Sequence, residues 1–489
     1  MFITFISGIT RALFFMVFFV TTSLVFSQHT FEFTIQDTLT DQVIYDAIEL
    51  ANGSYILTSQ EFFPSSNQKA HLYRISASGK LSDSTTLTYQ GQRSGLGNIV
   101  QIEPNKFVLA GFTRVNDQSV LWLYEMDSLF TGIRSKIMPI DTSDVYNVSE
   151  LLIHDNHILC TGIVEYGLNH YPFVYKISPL FDSLQLKVMT EYHTIFQVDL
   201  LPKHNNEGYY WFIVASGLPK TLGLFDLDTS FAIKNISGVS NDIWNFHSAK
   251  WISKSSMIYC GRYKPKPLSP VWSIGMLKMD TLVNIADEYY LGVADTFECP
   301  GLLSRLDFID TNAIFIGGTH NFYPGSEFSP VNCWFSLTQM DTSFHVNWRY
   351  FYRGDANYTM YGIKATTDGG CLMFGSRYNY NEPRYERDIY VYKVNQNGLI
   401  IGTDDKPGPM AHHAIIYPNP GSDYLIVQTG PQISGSQFIL KDLTGKTIVN
   451  KPICDSYLTI HSQMIPAGIY LWQITKENVM IESGKWIKK

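Results

Sequence analysis

Apolar and polar positions along the chain follow two patterns that recur in the same order. An apolar run ending in small residues occurs seven times, as YILTS, FVLAG, ILCTG, FIVAS, MIYCG, IFIGG and CLMFG, closing at residues 59, 111, 162, 216, 261, 318 and 375. Each is followed by alternating aliphatic residues and then Asp, Asn or Ser: LYRIS, LYEMD, VYKIS, LFDLD, MLKMD, LTQMD and VYKVN, ending at 76, 127, 178, 228, 280, 341 and 395. Two independent patterns sharing a period of about 53 residues mark an internal repeat. The last period shows its full content: HVNWRYFY (345–352), YGIKATTDGG (361–370), CLMFGSR and DIYVYKVNQNGL. Four short strands per repeat make one propeller blade. A lone four-stranded sheet cannot bury both faces, whereas blades packed around an axis can, which accounts for runs such as IFIGG that are apolar at consecutive positions. The small residues closing each run suit strands crowded near that axis.

The predicted fold is all-β: a seven-bladed β-propeller, with six or eight blades as the neighbouring counts, followed by a small C-terminal β-sandwich. The last unit stops after NGLI without a further outer strand, while FEFTI (31–35) is an outer-strand pattern with no blade before it. The N-terminal strand should therefore complete the seventh blade, removing edges that an open solenoid would leave.

Residues 1–27 hold one charge, Arg11, before the apolar run ALFFMVFFV, with Val25 and Ser27 placed for cleavage ahead of Gln28. This reads as a signal peptide, with an uncleaved anchor as the alternative. No later stretch approaches the ~20 apolar residues of a membrane span, so no transmembrane segment is expected in the mature chain. The expected domains are 1–27 signal, 28–401 propeller, 402–415 linker and 416–489 sandwich. Charged residues make up only 16% of the chain, with 35 Gly, 30 Tyr and 31 Phe. Such a balance favours strands and turns and excludes disorder. Removing Arg11 takes the net charge from -8 to -9, which argues against a nucleic-acid partner. Six scattered cysteines without CxxC spacing argue against a disulfide framework or zinc site.

Two resemblances are carried by specific residues. In the seventh unit Trp348, Tyr350, Asp368, Gly369, Gly370, Asp388, Tyr390, Lys393, Asn395 and Gly398 fit an extracellular propeller repeat common in Bacteroidota surface proteins. Residues 416–489 carry Tyr417-Pro418-Asn419-Pro420, then Asp442 with Gly445 and Lys446, then Gly468 and Tyr470 within AGIY, and terminal Lys485, Lys488 and Lys489. This segment resembles the type A C-terminal sorting domain of the type IX secretion system. The resemblance implies export to the periplasm, passage through the outer membrane by the type IX machinery as partner, and release or display at the cell surface. Residues 416–489 have seven Lys and five acids, net +2, leaving -11 on residues 28–415.

Chemistry-bearing motifs are scarce. GxSxG, HExxH, phosphate-binding loops and calcium loops are missing, so neither metal nor cofactor is expected. Asp-Ser and Asp-Thr pairs at strand ends (Asp127, Asp182, Asp228, Asp280, Asp341) read as side-chain-to-backbone turns. The connections from second to third strand and from fourth strand to next blade share one face, and there the segments 61–69, 164–171, 262–270, 320–330 and 377–388 read as long aromatic loops. Phe62, Phe63, Tyr166, Tyr263, Phe322, Tyr323, Tyr378, Tyr380 and Tyr385 should gather on that rim, a surface for glycan or protein. The reading is a non-catalytic binding propeller. Its alternatives are a polysaccharide-degrading enzyme using carboxylates among Glu61, Asp355, Glu382 and Glu386, and a structural or adhesive surface protein.

Overall fold

The two repeated patterns become the second and third strands of seven antiparallel sheets. A computed structural model describes residues 29–489 apart from 37–39, 64–67, 142, 195–197, 216, 265–270, 294, 324, 353, 382–385, 401–413, 418, 430–434, 455–456 and 477–478, and every regular element in it is a β-strand. Blades 1 to 6 span residues 41–87, 94–138, 144–188, 199–240, 243–291 and 298–352, and blade 7 spans 357–394. Blade 6 has its first strand in two pieces, Glu298–Pro300 and Leu306–Asp307, both paired with Ile314–His320. First strands touch in cyclic order, the seventh returning to the first. Closure comes from the N-terminus as expected, because Phe31–Ile35 pairs with Asp388–Val394 as the fourth strand of blade 7. Beside it, buried Arg387 donates to both oxygens of Asp41 at 2.8 and 2.7 Å, joining blades 7 and 1.

The glycines that close several second-strand runs have a cause other than crowding at the axis. First strands carry bulges, at Ile44/Asp46, Leu96/Asn98, Val148/Glu150 and Met360/Gly362, and the extra residue pushes backbone toward the second strand. A Cβ on Gly375 would lie 2.1 Å from the Thr359 carbonyl oxygen, and one on Gly162 2.2 Å from that of Asn147. The bulges also place acids where they reach the next blade. Asp46 accepts from Ile99 N at 3.2 Å and Glu150 from Leu200 N at 2.8 Å. Asp199 and Asp307, on later first strands, accept from Ala249 N at 2.6 Å and Ala365 N at 2.8 Å. Burying a carboxylate is tolerable only with such partners, and Lys250 supplies a further one to Asp307.

Turns between third and fourth strands lock the outer parts of the seams. As expected for the Asp-Ser and Asp-Thr pairs, Asp127, Asp228, Asp280 and Asp341 each accept two turn N–H groups through Oδ1. Asp182 differs, since Ser178 caps that turn instead. The fourth residue of each turn is left-handed: Gly79, Phe130, Phe181, Phe231, Val283, Phe344 and Gly398. Bulky residues pay about 1 kcal/mol or more for that conformation. Phe181, Phe231 and Phe344 nevertheless bury their rings against the preceding blade, which returns roughly 1.5–3 kcal/mol each, so burial wins. Where glycine occupies the position, another ring fills the space: Phe31 beside Gly79, and Trp348 with Tyr350 beside Gly398.

The C-terminal domain is a sandwich. One sheet comprises Ala414–Tyr417, Tyr424–Thr429 and Tyr457–His461, and the other runs Thr447–Ile453, Ser436–Lys441, Gly468–Lys476, Val479–Lys488 in spatial order. Leu425, Val427 and Ile460 from the first meet Phe438, Leu440, Trp472, Ile474 and Trp486 from the second. Its first strand begins at Ala414, within the expected linker. Buried Ala414 donates its N–H to Glu482 at 3.1 Å, which ties that residue to the sandwich. The remainder of that linker up to residue 413, and the signal segment, lie outside the described residues.

Candidate functional site

Connections on the expected long-loop face are unequal. Blade 2 turns through Asn116-Asp117, both at positive φ, and blade 3 through Gly167-Leu168. Two-residue turns of this kind close hairpins, so the segment around Tyr166, expected as a loop, is mostly strand, with Glu165 opposite His170. Long connections line an arc formed by blades 5, 6, 7 and 1, and two more, 189–198 and 215–221, lie between blades 3 and 4 and within blade 4.

At the blade 5/6 seam the arc holds an aromatic stack. Tyr323 of blade 6 lies on Trp272 of blade 5 with centroids 4.9 Å apart and planes 28° apart. The Arg262 guanidinium sits 3.8 Å from the Trp272 centroid, a cation–π contact. Phe297 meets both rings edge-on at 5.5 Å. Backbone bonds fix the layers, since Glu298 N donates to Trp272 O at 3.0 Å and Phe322 N to Phe297 O at 3.1 Å. With Trp272 against one face, Tyr323 remains 50% exposed. Burial pushes the Arg262 pKa down to about 10, which still leaves the side chain cationic at neutral pH. Nearby, Tyr263 stacks on Tyr290 at 3.9 Å, across Gly275, where a Cβ would lie 2.8 Å from that of Tyr263.

The other candidate rings do not all join this surface. Phe322 is fully buried with Cys299 and Cys333, because its loop folds back through Asn321, whose Nδ2 donates to Val331 O at 2.5 Å. Tyr378 is buried too, meeting Phe328 edge-on at 5.0 Å. Tyr166 is half-buried against Tyr171, and Tyr380 donates to Asn332 Oδ1 at 2.8 Å. Tyr385 and the side chains of Phe62 and Phe63 lie outside the described residues. Trp272, Arg262, Phe297 and Tyr290 are the residues that sequence reasoning missed. Only Trp272, just beyond a proline-rich loop, carried a local signal.

Two of the candidate carboxylates on this face have fixed partners. Glu61 is buried 2.6 Å from His71 Nε2. Asp355 accepts from Tyr358 OH at 2.8 Å and Arg377 at 3.0 Å, which together keep it below the ordinary carboxylate range. Glu386 is half-buried and Glu382 lies outside the described residues. Glu298, unnoticed in the sequence, is completely buried beneath the stack, bonded to Arg349 at 2.7 Å and to His320. Among the described residues no group of three His, Cys, Asp or Glu is placed to hold a metal. The arrangement presents one flat ring at the seam, backed by a buried cation, with Glu61 bonded to His71 and Asp355 paired with Arg377.

Two of the C-terminal motifs meet the last strand. Asn419 acts as a clamp: its Nδ2 donates to Lys485 O at 2.8 Å and its Oδ1 accepts from Ile487 N at 2.9 Å. Gly421 continues the contact, donating to Ile487 O at 2.9 Å and accepting from Lys489 N at 2.8 Å. Pro420 follows a cis bond, and Pro418 and the Tyr417 side chain lie outside the described set. Asp442 Oδ1 caps the turn to Lys446, with Gly445 in the left-handed conformation. Tyr470 is buried and donates to Pro466 O at 2.8 Å, while Gly468 pairs with Lys488.

Residues 415–489 match the family of secretion system C-terminal sorting domains. The chain is thus a β-propeller protein with a type IX sorting domain, the equipment of an exported Bacteroidota protein. No curated protein matches it by sequence. A protein of unknown function from Dyadobacter fermentans is 10% identical, with TM-score 0.40 over 60% of this chain and 94% of that one. PorZ, a surface component of the type IX secretion system of Porphyromonas gingivalis, is 8% identical, with TM-score 0.26 over 91% and 81%. A GH93 alpha-L-arabinofuranosidase of Fusarium graminearum is 10% identical, with TM-score 0.42 over 75% and 97%. At these scores the similarities assign no function.

Proposed function

We propose that the chain is carried to the periplasm by residues 1–27, exported through the type IX machinery, and works outside the cell as a non-catalytic propeller that binds a glycan on its long-loop face. The observation that supports this most is the Tyr323-Trp272-Arg262 stack, with one tyrosine half exposed and its support fixed from both blades. Exposed rings anchored this way suit ligands with flat apolar faces and polar edges. The paired state of Glu61 and Asp355 favours binding over an acid–base mechanism.

The test is affinity electrophoresis of the mature chain, residues 28–489, through gels containing different polysaccharides, each stained afterwards for degradation. Retardation without clearing, lost in Tyr323→Ala, is expected. Clearing would make the protein an enzyme, and unretarded migration in every gel would leave a protein ligand as the reading.

A further inference from the structure

The sorting domain turns an unusual face to water. Along Gly468–Lys476, Tyr470, Trp472 and Ile474 point inward, so the alternate residues Ile469 and Leu471 point outward, 44% and 47% exposed. Register extends this face across the sheet. Leu471 lies between Lys441 and Lys485, Ile469 opposite Ile487, and Gln473 between Ile439 and Ser483. A solvent-facing side of an antiparallel sheet normally carries polar residues, whereas this one has an apolar centre flanked by lysines. Among the described residues neither Lys441 nor Lys485 has a carboxylate partner, and Glu482 of the same strand points inward. The Asn419 clamp holds the strand bearing Lys485 and Ile487 in this register.

We infer that this face is a docking surface for a component of the type IX machinery whose contact site is apolar and rimmed with acids. The inference rests on the reading that the machinery recognises this domain. Charge complementarity selects the occupant: an acidic rim would pair with Lys441 and Lys485 while the apolar residues fill its centre. A second copy fits worse, because a two-fold contact would set this lysine-flanked face against itself.

The experiment expresses the full chain in a type IX-secreting bacterium and measures protein outside the cell against precursor in the periplasm, with melting temperatures of the purified variants. Leu471→Asp and Lys485→Glu should each cut export about tenfold or more, the loss expected at an interface anchor, with melting unchanged. Tyr424→Ser, at an exposed residue of the other sheet, should be exported normally. Lys485→Glu alters only an exposed side chain and so decides the matter if Leu471→Asp fails to fold. Parental export of Lys485→Glu, with export abolished when residues 414–489 are deleted, overturns the face and leaves the sorting role standing. Export of the deleted chain overturns both. Equal loss with Tyr424→Ser shows general sensitivity of the domain and also overturns the face.

Discussion

A phenylalanine in the left-handed region is legible in no sequence pattern, because propensity favours glycine there. Phe181, Phe231 and Phe344 hold it because each fills a seam that a glycine would leave open. Phe231→Gly relieves the backbone but opens a ring-sized cavity, so a net loss of about 2–3 kcal/mol is expected in chemical denaturation. Blade 1 offers the reciprocal case. Gly79→Phe alone should be strongly destabilising, since Phe31 atoms lie 2.4 Å from where its Cβ would be. Phe31→Ala should reduce that penalty when the two are combined, and a double-mutant cycle measures the coupling. The same contrast explains what could be read beforehand: the Asp caps announce themselves by residue type, while the plug depends on what the adjacent blade lacks. The stack was no more legible, since Trp272 had only its place beside a proline-rich loop to mark it and its ring partner Tyr323 comes from another blade.

At the scale of elements the sequence was more informative. Strand number, repeat phase and the displaced outer strand FEFTI all follow from alternation and spacing, and the sheets bear them out. The first-strand bulges do not, because one extra residue leaves no mark in an apolar run, and the loop expected around Tyr166 proved to be a two-residue hairpin. Closure by Phe31–Ile35 makes a prediction of its own. Removing residues 28–35 exposes the edge of Asp388–Val394 and uncovers the seam that Phe31 fills. Loss of at least about 2 kcal/mol is expected from the buried ring alone, with light scattering revealing association through the unpaired edge.

Across the whole molecule, the first strands bring charges from separate blades to the axis. Glu150 and Asp199 are hydrogen-bonded to each other, and burial raises both, Asp199 to about 6 and Glu150 well above the ordinary carboxylate range, the Asp199 charge adding to it. Lys250, Lys364 and Arg305 face this group, as do Asp46, Asp307 and Tyr259. A carboxyl raised on folding makes the native state bind more protons than the unfolded chain, so stability falls as pH rises from the ordinary carboxylate range through about 6. Glu150→Gln keeps an acceptor for Leu200 N and removes the like charge. It should raise the melting temperature at neutral pH and flatten the decline, as read by thermal melts across that window.

The pairing of Phe31 with Lys393 also sets an order of events. Bringing these ends together closes a loop of most of the propeller's length, an entropic cost of about 5 kcal/mol by chain statistics. Blades 1 to 6 can assemble from neighbouring segments, but the ring cannot shut until the end of blade 7 has emerged and found the strand made first. Until then the chain is an open crescent with two bare edges, so whatever attends it during folding meets a different object from the closed ring.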